Sequence, residues 1–238
     1  MNHNIVILTG SGISQESGIQ TFRASDGTWN NFSVLDVATP RGFQVNPNLV
    51  HQFYNDRRQQ LKTVKPNRAH DALAKLESQW TAGRFILITQ NVDDLHERAG
   101  SKNVLHLHGS LLKTRCVKCR HVFTNSEDIT TETPCPRCAK VKSLRPDIVW
   151  FEEIPLQLPV VYQSLKNCSL FLSIGTSGVV QPAASFVDDA RVAGAHTVEL
   201  NLEKTEISFK FEEVIFGPAT QIVPPYVDKL FAEFPVHR

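Results

Sequence analysis

The chain of 238 residues carries 25 Lys and Arg against 24 Asp and Glu, so no overall field draws it to nucleic acid or an anionic bilayer. At 41% hydrophobic residues it has ample apolar surface for a core, and the length fits one large or two unequal domains. No apolar run approaches the roughly 18 residues of a spanning helix, and the run Ile5 to Leu8 is too short for a secretory signal, which predicts a soluble, cytoplasmic protein without a membrane partner.

Along the chain, residues 4–9 (NIVILT) form a short β-branched apolar run stopped by Gly10-Ser11-Gly12, the pattern of a buried strand entering a tight turn. Helical patterns follow at 47–62 and at 67–80, the second with Asn67 as N-cap. A second strand pattern, 85–89 (FILIT), runs into Gln90-Asn91-Val92-Asp93. After an interruption from Cys116 to about Leu144, helices at 155–166 and 182–193 alternate with strands at 169–174, ending in Gly175-Thr176-Ser177, and at 197–200, ending in Asn201. Strands alternating with helices predict an α/β fold with a doubly wound parallel sheet, whose ligands bind beyond the carboxyl ends of the strands.

The interrupting segment is polar and rich in cysteine and proline, too small to bury an apolar core of its own. Its spacing, Cys116-x2-Cys119-x15-Cys135-x2-Cys138, lets each pair clasp one side of a tetrahedral ion, and four thiolates leave no open coordination position. One structural Zn2+ is therefore expected, and Cys168, in an apolar segment, reads as a buried core residue. Basic residues flank the cysteines with little aromatic interleaving, so nucleic acid is not an expected partner.

Other motifs leave two readings open. Gly10-Ser11-Gly12 suits the approach of backbone amides to a pyrophosphate, but it lacks the full G-x-G-x-x-G pattern and reads equally as a structural turn. Gln90, Asn91 and Asp93 can hydrogen-bond a ribose or a carboxamide, or cap the helix that follows. His106 and His108 stand two apart, either able to serve as a general base beside the ligand edge. Tyr54 and Arg57, three apart on a predicted helix, share a face that suits a carboxylate or simply decorates a surface.

Taken together, GSGIS, SGIQTFR, TQNVDDLHERAG, LHLHGS, the four cysteines, GTS at 175–177 and ELNLE at 199–203 resemble, in order and through nearly the whole chain, the sirtuin family of NAD-dependent protein-lysine deacylases. The resemblance implies a single catalytic domain, 1–238, with a large Rossmann-like part (1–110 and 145–238) and a small zinc-binding insertion (about 111–144). It implies NAD contacts at Gly10, Ser11, Gly12, Gln90, Asn91, Asp93, Gly175, Thr176, Ser177, Asn201, Glu203 and Ala219. Phe22 and Arg23 would belong to a cofactor-binding loop, and His108 would be the base. NAD would be consumed: the acyl oxygen attacks the nicotinamide ribose, and free lysine, nicotinamide and O-acyl-ADP-ribose are formed.

Within that family Tyr54, Arg57 and Ala38 resemble the desuccinylating branch, whose Tyr-x-x-Arg pair and small residue accommodate an acidic acyl chain. Acylated-lysine proteins or peptides would be the partners, with Val149 and Phe151 in the segment that pairs with the peptide. An ordinary deacetylase and an ADP-ribosyltransferase are the alternatives. The chain departs from the family at Glu152, where glycine is usual, and at Ser11, where alanine is usual.

Overall fold

The computed structural model describes residues 3–20, 22–23 and 27–234, without the side chains of Phe22 and Arg23, so the cofactor-loop reading of those two lies outside the described residues. In chain order the elements are β1 (Ile5–Thr9), α1 (Gly12–Gln15), β2 (Phe22–Arg23), β3 (Thr28–Trp29), β4 (Phe32–Ser33), α2 (Val34–Val37), α3 (Pro40–Val45), α4 (Pro47–Thr63) and α5 (Arg68–Gln79). Next come β5 (Phe85–Thr89), α6 (Leu95–Ala99), β6 (Val104–His106), β7 (Gly109–Cys116), β8 (Val122–Thr124) and β9 (Leu144–Ile148). The chain continues through α7 (Leu158–Leu165), β10 (Leu170–Ile174), α8 (Phe186–Val192), β11 (His196–Asn201), β12 (Glu213–Phe216) and α9 (Ala219–Glu233).

Six strands form one parallel sheet in the order β6-β5-β1-β10-β11-β12. Counted along the chain within this sheet, that is the doubly wound order 3-2-1-4-5-6, which reverses between β1 and β10. Successive side chains alternate between faces, and both faces are covered, which is why β1 is buried throughout and apolar from Ile5 to Leu8. Ile5 and Ile7 pack with Leu73 and Leu76 of α5 and Val223 and Val227 of α9. Val6 and Leu8 pack on the other side with Val161 and Leu165 of α7 and Phe186 and Ala190 of α8.

A separate antiparallel sheet, β8-β7-β9, carries the cysteine segment. A third apolar cluster joins it to the rest, with Phe53, Tyr54 and Leu61 of α4 against Leu111 of β7, Ile148 of β9 and Trp150. No helix among the described residues is long and apolar enough to cross a membrane.

The helix predicted at 155–166 begins only at Leu158, because Gln157 takes a left-handed φ of 62°. The one predicted at 182–193 opens with a 3₁₀ turn, Ala183–Ser185, before α8. Helix α9 has no counterpart among the predicted elements. Pro224 and Pro225 lie inside it, and packing of Val223, Val227 and Leu230 on α5 outweighs the hydrogen bonds they forgo.

Asn67 caps α5 as expected and does more. Its Oδ1 accepts from the Ala69 amide at 3.0 Å while Nδ2 donates to the Ile13 carbonyl at 2.8 Å and to Ser17 Oγ at 2.9 Å, tying the helix to the segment after the glycine turn. Asn67→Ala is expected to cost about 1–2 kcal/mol and lower Tm by roughly 2–8 °C, measured by thermal melting.

Candidate active site

The register sets Thr9 level with both Thr89 and Ile174, so the loops after β1, β5 and β10 leave the sheet side by side at the reversal of strand order. Two of them touch through bare backbone. The Gly12 amide donates to the Gly175 carbonyl at 2.9 Å. A β-carbon on Gly10 would stand 2.6 Å from that carbonyl oxygen, and one on Gly12 would stand 2.7 Å from the Gly175 α-carbon. Gly175 itself has φ +60, the left-handed region that favours glycine.

Beyond this contact opens a cavity of about 530 Å³. Gly10, Ser11, Gln90, Asn91, Asp93, Thr176 and Ser177 line it, together with His108 and with Ala38, Tyr54, Arg57, Val149 and Phe151. Gly12 and Gly175 stand behind its wall. Asn201 also lies outside the lining and braces it, Nδ2 donating to the Thr176 carbonyl at 2.8 Å. Glu203 is exposed, and Ala219 is buried at the start of α9 in the apolar core. Neither is among the lining residues.

Beneath the lining runs a buried polar network. Ser14 Oγ donates to Asp93 Oδ2 at 3.1 Å and accepts from Asn91 Nδ2 at 3.1 Å; the same Nδ2 donates to the Gly10 carbonyl at 3.0 Å. Asp93 Oδ1 accepts the Leu95 amide at 3.1 Å, so Asp93 both lines the cavity and satisfies the first amide of α6, one residue before the N-cap Asp94. Thr9 Oγ1 donates to Thr89 Oγ1 at 2.9 Å, which makes His96 Nε2 the donor in its 3.0 Å contact with Thr9. Burial holds the His70 imidazole down to about 4 and pushes that of His96 well below its usual value, so both stay neutral. The same burial pushes the Asp93 carboxyl up to about 6, against the opposing effect of the Leu95 and Ser14 hydrogen bonds.

The two histidines of LHLHGS differ in their partners. His106 has both ring nitrogens engaged, Nε2 with Glu97 at 2.6 Å and Nδ1 with the Asn91 carbonyl at 3.2 Å. Burial opposes its charging, but the Glu97 carboxylate outweighs burial and raises its pKa. His108 lies in the turn after β6, and its Nδ1 must donate to the Gln90 carbonyl at 3.0 Å, leaving Nε2 as a bare acceptor. Burial lowers its pKa, so the imidazole is neutral and able to take a proton.

Tyr54 and Arg57 project from α4 into the same cavity. The Tyr54 oxygen accepts from Trp150 Nε1 at 3.0 Å, which frees its own proton for donation, and burial keeps the phenol protonated. Arg57 lies over the Phe53 ring at 4.2 Å and donates to the Phe53 carbonyl at 2.9 Å. Among the described residues no carboxylate lies within ion-pair distance of its guanidinium. Ala38 is buried, and its carbonyl accepts from the Phe151 amide at 2.9 Å, fixing the 149–151 segment to this wall.

The four cysteines of the module place their sulfurs within 4.8 Å of one another, with 3.8 Å between Cys116 and Cys138 and 3.7 Å between Cys119 and Cys135. Tetrahedral coordination with Zn–S of about 2.3 Å sets sulfurs about 3.8 Å apart, so the residues fit a zinc ion. The two halves repeat one turn. Arg120 donates its amide to the Cys116 carbonyl with φ 60, and Ala139 donates to the Cys135 carbonyl with φ 57.

A model of the Sir2 family matches residues 10–182. The chain belongs to the Sir2 family. It is 53% identical over 231 residues to an NAD-dependent protein deacylase of Vibrio parahaemolyticus, covering 96% of this chain and 95% of that one. Among solved structures, a Sir2 homologue in complex with NAD superposes with a TM-score of 0.87 at 37% identity, covering 97% of this chain and 90% of the other. A Sir2 protein bound to acetylated peptide gives a TM-score of 0.80 at 30% identity, covering 98% and 94%.

Within this Sir2 fold several supporting residues had no distinct signal in the sequence. Ser14 stands in the glycine turn, yet only the folded chain shows that it joins Asn91 to Asp93. His70 is the third residue of α5 and part of the Asn67 cap; its 3.5 Å contact with Ser14 depends on where α5 packs. Trp150 reads as one more core aromatic until its indole is seen to hold Tyr54.

The raised Asp93 pKa has a stability consequence. Its ordinary value is 3.8 and its folded value about 6, so folding is penalised as pH rises through that window and the penalty is full above it. Asp93→Asn keeps an acceptor for Leu95 without the charge. The variant is expected to match the parent near pH 4 and exceed its stability by about 1–3 kcal/mol at pH 7.5, read from denaturant melts at both pH values.

Proposed function

We propose that this NAD-dependent protein deacylase removes acidic acyl groups, succinyl and malonyl, from lysine side chains, with acetyl as a second substrate. The observation that carries the reading is Arg57: a guanidinium without a carboxylate partner among the described residues, beside a phenol with a free proton, in the cavity that His108 also lines. The distal carboxylate of a succinyl chain supplies what both groups lack. Apolar walls from Ile19, Leu61, Leu111 and Ile148 fit its methylenes.

NAD supplies an electrophilic ribose carbon with nicotinamide as leaving group, and an ADP-ribose that accepts the acyl group. The overall conversion consumes NAD, water and acyl-lysine and yields nicotinamide, free lysine and O-acyl-ADP-ribose. Gly10, Ser11, Thr176 and Ser177 would hold the dinucleotide at the backbone contact, with Gly12, Gly175 and Asn201 supporting that wall from behind. Gln90, Asn91 and Asp93 would orient its nicotinamide end. His108 Nε2 would take the proton of a ribose hydroxyl, with Nδ1 anchored on the Gln90 carbonyl. Val149 and Phe151 would receive the substrate peptide. The reading treats 1–238 as a single catalytic domain in which 1–110 and 145–238 hold the nucleotide and about 111–144 holds zinc.

Charge-assisted hydrogen bonds are worth about 1.5–3 kcal/mol each, so Arg57→Met should lower kcat/KM for a succinyl-lysine peptide by roughly ten- to a hundredfold. The same peptide carrying acetyl-lysine should lose far less. An unchanged acyl preference would remove the pocket assignment. His108→Ala should nearly abolish nicotinamide release. Because burial lowers the His108 pKa, the acid limb of kcat/KM for the parent should fall below the ordinary imidazole range. Products followed by mass distinguish O-acyl-ADP-ribose from ADP-ribosylated protein.

A further inference from the structure

At the mouth of the cavity the chain makes a tight turn from Trp150 to Glu153, closed by the Glu153 amide donating to the Trp150 carbonyl at 3.0 Å. Glu152 occupies its third position with φ 74, a backbone angle that a β-carbon penalises and glycine does not. Its side chain is exposed and lines the cavity. Among the described residues it forms no hydrogen bond or ion pair that would explain it as support for the fold.

The other charges of this segment are matched. Arg145 holds Glu153 through both guanidinium nitrogens, at 2.7 and 2.9 Å, and Arg115 holds Asp147 at 2.5 Å. Glu153 also accepts the Trp150 amide at 2.9 Å. Glu152 is thus the uncompensated charge of the turn. It is presented on a fixed backbone, since Val149 donates to the His108 carbonyl and Phe151 to the Ala38 carbonyl, each at 2.9 Å. Exposed Phe151 and Ile154 flank it and offer apolar surface to neighbouring peptide side chains.

We propose that Glu152 selects the sequence around the modified lysine, favouring substrates with Lys or Arg close to it and disfavouring acidic neighbours. The inference rests on the deacylase reading above and adds a second charge readout to the site. Arg57 inside the cavity would read the acyl group, and Glu152 at its rim would read the peptide. A rim carboxylate acts in high dielectric, so the effect is modest, sensitive to salt and expressed mainly in KM.

The test uses peptides that carry one acyl group and differ only in the residues beside the modified lysine, Arg, Gln or Glu, at low and high salt. The parent protein is expected to favour the Arg peptide over the Glu peptide by roughly three- to fivefold in kcat/KM at low salt. The preference should shrink at 0.5 M salt. Glu152→Gln should bring the ratio toward one, Glu152→Gly should do the same, and Glu152→Lys should invert it. The same ratio in parent and Glu152→Gln would overturn the proposal, whatever the acyl preference. Failure to turn over any acyl peptide in the presence of NAD would instead overturn the deacylase reading beneath it.

Discussion

The site depends on a contact that has no side chains in it. Where the strand order reverses, the loop after β1 meets the loop after β10, and Gly12 and Gly175 are joined amide to carbonyl at 2.9 Å. Doubly wound sheets open a crevice at this point because their crossovers leave on opposite faces. Here the crevice keeps its form because nothing at the crossing is larger than a glycine. A β-carbon on Gly175 would lie 2.6 Å from the Ile13 amide nitrogen and force α1 away from the sheet. Ser14, two residues after Gly12, would move with it and release both Asn91 and Asp93. The crossing therefore also sets the polar network beneath the cavity.

Helix α4 links that crevice to the zinc module. Tyr54 and Arg57 face the cavity, while Asn55 pairs with the backbone of Ile129 in both directions, at 2.9 and 3.0 Å. Arg58 reaches the Leu111 carbonyl at 2.9 Å, and Gln59 reaches Asp128 at 2.9 Å. The module's own apolar cluster consists of its cysteines with Ile129, Leu144 and Phe123, too little to order a segment of this length without a metal. An ion held by the four cysteines would thus have a mechanical route to the cavity: it would order the segment on which α4 rests.

Much of this was legible before folding. The buried strands β1, β5, β10 and β11 announce themselves as short apolar runs stopped by glycine or polar residues, because a strand covered on both faces has no polar side. The Cys-x2-Cys pairs were equally plain, since two thiols so spaced have few other uses. Less legible were α9, whose prolines read as breakers, and the different surroundings of His106 and His108. Local sequence could not separate those histidines, because the difference lies in Glu97, on another element, which occupies the His106 ring and leaves His108 alone. Asp93 serves the fold and faces the cavity at once: one oxygen accepts the Leu95 amide at the first residue of α6, and the other meets Ser14 within the cavity wall.

The two adjacent arginines of α4 have opposite surroundings. Arg58 is 1% exposed and commits Nε to the Leu111 carbonyl and Nη1 to Asn55 Oδ1, at 2.9 and 2.6 Å, so its charge is held by dipoles that belong to the fold. Arg57, one residue earlier, turns about 100° around the helix to the cavity side and, among the described residues, bonds only the Phe53 carbonyl and lies over its ring. Burial lowers its pKa without neutralising it, so a charge persists in a site that solvates it poorly. Such a charge weakens the free protein and strengthens whichever complex supplies its counter-charge. Under the acyl preference proposed above, an acetyl group would bring none and water would complete the arginine's coordination, whereas a succinyl carboxylate would bring an acceptor. On the proposed reading, selectivity comes as much from the cost of leaving Arg57 unpaired as from any attraction in the bound state.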